Sequence, residues 1–68
     1  MNKTAYIGLV QAARARDQRE PVTVWIDDKP VETGVIEELT EEYILVNGSY
    51  YLIRVVHLSF ADEPIEAL

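Results

Sequence analysis

Residues 21–60 read PVTVWIDDKPVETGVIEELTEEYILVNGSYYLIRVVHLSF, a near-continuous series of short strand patterns separated by turn residues. In the first, Val22, Val24 and Ile26 alternate with Thr23 and Trp25, which gives one strand two distinct faces. Asp27-Asp28-Lys29-Pro30 is turn chemistry. The second strand is predicted from about Val31 to Leu39, and the isolated Gly34 inside it marks a sharp bend or a bulge. Thr40-Glu41-Glu42 makes a short acidic loop before a third strand, Tyr43 to Val46. Asn47-Gly48 then signals a tight hairpin, because both positions tolerate φ > 0. A fourth strand begins at Ser49 or Tyr50. From Tyr50 to Phe60 the chain is apolar on both faces: Leu52, Val56, Leu58 and Phe60 alternate with Tyr51, Ile53 and Val55. A break near Arg54–Val56 divides this run into strands four and five. One face of the run fills an interior, and the other needs the helix or a neighbouring subunit as cover. The pattern predicts a mostly β domain, with five bent strands closed into a small barrel over residues 21–60.

Ahead of the barrel, Tyr6, Leu9, Val10 and Ala13 recur at helical spacing and make one apolar stripe, which predicts a lid helix over about residues 3–18. Asn2 or Thr4 serves as its cap, and the Arg-Asp-Gln-Arg-Glu segment before Pro21 ends it. Gly8 inside that span weakens the helix by roughly 1 kcal/mol relative to alanine, so the helix needs the barrel to stay folded. Residues 1–61 form a single domain, and residues 62–68 a short acidic tail.

With 68 residues, the chain buries only about 60% of its unfolded surface on folding, so one core leaves it marginal. The absence of cysteine excludes disulfides and thiolate metal sites, and the one histidine, His57, has no companion ligands at metal-binding spacing. Self-association is the remaining source of extra stability. The first residues show no basic-then-apolar leader pattern, and no apolar run approaches the ~18 residues of a membrane span, so a cytoplasmic location without membrane contact is expected. The net charge is −6, unevenly placed. Residues 1–20 carry four basic side chains (Lys3, Arg14, Arg16, Arg19) against two acids, whereas residues 21–68 carry two against ten. Contact with nucleic acid is therefore confined to the helix end or to Arg54, because the overall field repels phosphate.

The pattern resembles the Sm-like family, and its Hfq branch in particular, over roughly residues 4–60. Pro21-Val22-Thr23-Val24-Trp25-Ile26 resembles the first Hfq strand. Residues from Gly34 to Leu45 follow the first Sm motif, a glycine and alternating hydrophobic residues, then a polar loop and a hydrophobic strand. Ile53-Arg54 matches the start of the second motif. The resemblance implies an N-terminal helix on an SH3-like barrel of five strands, the second bent at its glycine. It also implies a homo-oligomeric ring in which strand four of one subunit pairs with strand five of the next. Tyr51, Ile53, Val56, Leu58 and Phe60, in the two-faced apolar run, are the expected interface. Several family residues differ here: the loop aspartate is Thr40, and the base-stacking position is Glu42 with Tyr43 beside it. The uracil-reading asparagine is Ile44, the lysine-histidine pair of Hfq is Leu52-Ile53, and the glycine after Arg54 is Val55.

Two functional readings follow. In the first, the ring binds RNA or small nucleotides without catalysis. Arg54, Tyr43 and Thr40 then lie near the pocket, and Arg14, Arg16 and Arg19 lie on the rim. Arginine stacks on bases and holds phosphate, although Arg54 equally suits an ion pair with a barrel carboxylate of a neighbour. The helix-end arginines also complement the helix macrodipole, so their presence has two explanations. In the second reading the ring is a scaffold for an inhibitor or adaptor that does not bind RNA. Glu37-Glu38 and Glu41-Glu42, repeated around it, form a carboxylate belt for a basic protein partner. An enzyme is not expected: no nucleophile pairs with His57, and neither a metal set nor a phosphate loop is present. No cofactor is implied. Tyr50 and Tyr51 read as packing or stacking residues, and Trp25 as core or interface.

Overall fold

The computed structural model describes residues 6–61, so Asn2, Thr4 and the acidic tail lie outside the described residues. Helix α1 (Leu9–Gln18) precedes five strands, β1 (Pro21–Ile26), β2 (Lys29–Leu39), β3 (Tyr43–Val46), β4 (Ser49–Leu52) and β5 (His57–Phe60). The strands form one antiparallel sheet in the order β4-β3-β2-β1-β5. Strand β2 joins its two halves: residues from Lys29 to Val35 pair with β1, and Ile36, Glu38 and Leu39 pair with β3. The change of partner falls just beyond Gly34, where the sequence predicts the bend.

The expected closed barrel is not formed. Strands β4 and β5 are the two outer strands, and no ladder joins them. The Ile53–Val55 turn connects them without pairing them, and the outer edge of β5 takes Ile7 instead. The sheet still curls around a core. Val22, Val24, Ile44 and Val46 are fully buried there, with Ile36, Val56 and Leu58 beside them.

Two turns carry the hairpins. Asp27 (φ 52°) and Asp28 (φ 63°), like Asn47 (φ 52°) and Gly48 (φ 79°), occupy the left-handed region in two-residue connections. The turn at Asp27-Asp28 is thus tighter than the four-residue turn the sequence suggests, and β2 starts at Lys29. Pro30 pairs opposite Trp25 next to a register shift, a place where a strand tolerates proline. Gly34 has no positive φ; its role is close approach. A Cβ there would sit 2.5 Å from the Asn47 side-chain nitrogen. That amide reaches over Gly34 to donate to the Thr33 carbonyl at 3.0 Å.

The helix corrects the predicted stripe. It starts at Leu9, with Gly8 as N-cap rather than an interior weak point, and Gln11 Oε1 accepts from the Gly8 N–H at 3.0 Å. The residues turned to the sheet are Ala12 and Ala15, both fully buried, whereas Leu9 and Val10 are 46% and 73% exposed. Small side chains thus make the buried helix–sheet contact. Arg19, in the left-handed conformation, closes the helix, and the Glu20 N–H returns to the Ala15 carbonyl at 2.9 Å. No described helix is long and apolar enough to cross a membrane.

Candidate functional site

Arg54 sits in the turn between β4 and β5, where a groove of about 450 Å³ is lined by Glu41, Glu42, Leu52 and Arg54. The β2–β3 loop builds the opposite wall. Its geometry depends on Thr40, whose hydroxyl accepts from the Glu42 and Tyr43 N–H groups at 3.1 and 3.0 Å and donates to the Tyr43 carbonyl at 3.3 Å. Thr40 is therefore the loop's internal clamp, with its hydrogen-bonding capacity already used. The Ile53 N–H donates to the Glu42 carbonyl at 2.9 Å and ties that loop to the end of β4. A second, apolar groove of about 250 Å³ runs from Arg54 past Ile53 and Val56 to Leu9 and Ala12 at the start of α1.

Tyr43 does not line the Arg54 groove. Its hydroxyl donates to Glu38 Oε1 at 3.0 Å, and its ring meets Tyr50 edge-on at 5.2 Å. The hydrogen bond to Glu38 and that carboxylate's charge raise the phenol above its ordinary value. At the other end of the helix, Arg16 and Arg19 line a wide groove of about 870 Å³ with Gly34, Glu37 and Asn47. Arg16 is already paired with Asp17 at 3.1 Å, and Arg14 is exposed on the helix. The structure thus brings Arg54 to two acids and separates it from the groove of the helix-end arginines. Among the described residues, no group of three His, Cys, Asp or Glu side chains is placed to hold a metal ion.

The five expected interface residues face the chain's own interior. Val56 and Leu58 are buried, and Tyr51, Ile53 and Phe60 pack half-buried against the same core. Tyr51 reaches inward to the Glu32 carboxylate, and burial first, then that hydrogen bond, raises its phenol above the ordinary value. Glu32 Oε2 is buried with no hydrogen-bond partner among the described residues. Within the apolar run from Tyr50 to Phe60, the side chains that remain outside are Tyr50 (64% exposed), Leu52 (49%) and Val55 (51%).

Backbone geometry makes β4 reactive in the same place. Across a two-residue turn, Val46 and Ser49 are the hydrogen-bonded pair, so Ile44 and Tyr51 are the next. The N–H and C=O groups of Tyr50 and Leu52 therefore point away from β3. The Val55 N–H takes the Leu52 carbonyl at 3.0 Å. Among the described residues, Tyr50 N–H, Tyr50 C=O and Leu52 N–H have no backbone partner, at an edge beside two exposed apolar side chains. The sequence carries a signal for this edge: the Asn47-Gly48 turn fixes the alternation, and tyrosine and leucine occupy alternate positions after it.

On the far side of the sheet, Trp25 is 4% exposed and donates from Nε1 to Ser59 Oγ at 2.9 Å, with Tyr6 edge-on above it. Tyr6 also stacks on His57, so the histidine belongs to an aromatic cluster. Comparison with known proteins finds no match to this chain among protein-family models, curated proteins or solved structures.

Proposed function

We propose that this chain is a non-catalytic interaction module that joins strands at its sheet edges, with β4 of one copy pairing with β5 of the next in a homo-oligomeric ring. One observation carries this reading. The outer strands lie at opposite ends of a single open sheet, and β4 presents backbone groups unpaired among the described residues, flanked by exposed Tyr50 and Leu52. An edge of this kind is an invitation to pairing unless something covers it. Ring closure is the Sm-like arrangement that the sequence resembles, and it supplies the cover. The carboxylates Glu37, Glu38, Glu41 and Glu42, all exposed, then repeat around the assembly and suit a basic protein partner.

RNA or nucleotide binding is the second reading, favoured by Arg54, an exposed guanidinium at the junction of two grooves with no ion-pair partner among the described residues. Glu41 and Glu42 in the same groove oppose a phosphate there. The test is native mass spectrometry of the purified chain, followed by titration with a short single-stranded RNA and with a basic peptide. The proposal expects a closed oligomer that binds the peptide and ignores the RNA. Salt-sensitive RNA binding lost in Arg54→Ala would transfer the function to the second reading.

A further inference from the structure

The outer edge of β5 is not open like that of β4, because the segment before the helix lies along it. Ile7 forms an antiparallel bridge to Leu58, and the Ile7 N–H donates to the Leu58 carbonyl at 2.7 Å. Tyr6 fixes this segment at three points. Its ring stacks on His57 (centroids 4.4 Å apart, planes 7° from parallel) and meets Trp25 edge-on at 6.1 Å. Its hydroxyl donates to Asp28 Oδ1 at 3.0 Å. Gly8 follows, with nothing within 4 Å of the place a side chain would take. Gly8 marks the junction between this segment and the helix, which Ala12 and Ala15 hold on the sheet.

We infer that Tyr6–Ile7 is a displaceable strap that occupies the β5 edge and must leave before a second copy can pair there. The inference rests on the strand-joining reading above and adds its regulation. Neighbouring strands lie about 4.8 Å apart, so an incoming strand opposite Leu58 takes the space of Ile7. In β5, Thr23–Ser59 and Trp25–His57 are the pairs bonded to β1, which leaves the Leu58 and Phe60 groups for an outside strand. Among the described residues the strap uses one bridge of that edge, whereas the β4 edge offers Tyr50 N–H, Tyr50 C=O and Leu52 N–H. Pairing with β4 exchanges the Ile7 bridge and an exposed aromatic stack for a ladder of β4 groups, so strap and partner compete in proportion to chain concentration. A loosened strap lowers the concentration at which the ring forms.

The test compares the unaltered chain with Tyr6→Ala, which removes the clamp, and Ile7→Pro, which removes the bridging N–H. Circular dichroism checks that each remains folded, and sedimentation velocity over a concentration series reads assembly. Each variant is expected to assemble at about tenfold lower concentration than the unaltered chain. Hydrogen exchange by NMR adds a direct reading: the Ile7 amide is protected in the monomer and exchanges freely in the assembly. A chain that assembles with Ile7 still protected, or whose two variants assemble no more readily, overturns the strap and leaves strand joining standing. A chain that stays monomeric in all three forms overturns strand joining and the strap together.

Discussion

A methyl group added at Gly34 would meet the Asn47 side chain at 2.5 Å, and that side chain is already committed to the Thr33 carbonyl. Gly34→Ala should therefore displace the exposed Asn47 side chain and destabilise the fold by about 0.5–1.5 kcal/mol, the worth of its hydrogen bond to Thr33, and not through backbone strain. In an Asn47→Gly background, which keeps the left-handed turn and removes the obstruction, most of that increment should vanish. Urea unfolding of the four proteins in the cycle measures the coupling. Tyr51 makes a second prediction at this scale. Burial and the Glu32 carboxylate hold its phenol above the ordinary value, so the folded chain keeps a proton that the unfolded chain has lost. The contribution is complete below the ordinary phenol value of about 10 and is lost as pH rises from there through the folded-state value. Thermal midpoints from pH 8 to 11 should fall in this window, and Tyr51→Phe should make the fall shallower. Tyr6 and Tyr43, raised in the same direction, leave part of the slope in place.

Each element follows a different part of the sequence. Strand positions and the Asn47-Gly48 turn were legible because alternation and positive φ leave direct marks on residue choice. The helix face differs from the predicted stripe because Tyr6, Leu9 and Val10 outrank alanine in hydrophobicity, while the residues buried against the sheet are Ala12 and Ala15. Ala15→Leu should accordingly cost about 1–3 kcal/mol in chemical unfolding, despite raising hydrophobicity and helix propensity. The two-faced apolar character of Tyr50–Phe60 predicts the helix or a neighbouring subunit as cover for its second face. That character has another source: inward residues serve the chain's own core, and Tyr50, Leu52 and Val55 stay outside. Placement of the candidate site was least legible, because grooves depend on which loops converge. Arg54 met Glu41 and Glu42 through such convergence, and the bridge of Ile7 to Leu58 leaves no pattern to read. It follows that Leu58→Asp is a test of folding rather than of assembly. It buries an uncompensated charge at a cost on the order of 3–5 kcal/mol, enough to unfold so small a domain in a thermal scan.

For the whole molecule, one open sheet with two different ends joins these features: an exposed ladder at β4 and a strapped one at β5. The acidic excess in residues 21–68 keeps such a surface soluble and repels phosphate, and a ring repeats the same charges in every copy. Strand joining is the central claim, and a change confined to the β4 backbone isolates it. Tyr50→Pro deletes an N–H that points away from β3, at an edge position where a strand accepts proline. Native mass spectrometry of the unaltered chain beside Tyr50→Pro, with circular dichroism on both, should find a closed oligomer for the first and a folded monomer for the second. A chain that stays monomeric even when Tyr6→Ala releases the β5 edge, or a Tyr50→Pro chain that keeps the full oligomer, would contradict assembly through the β4 edge.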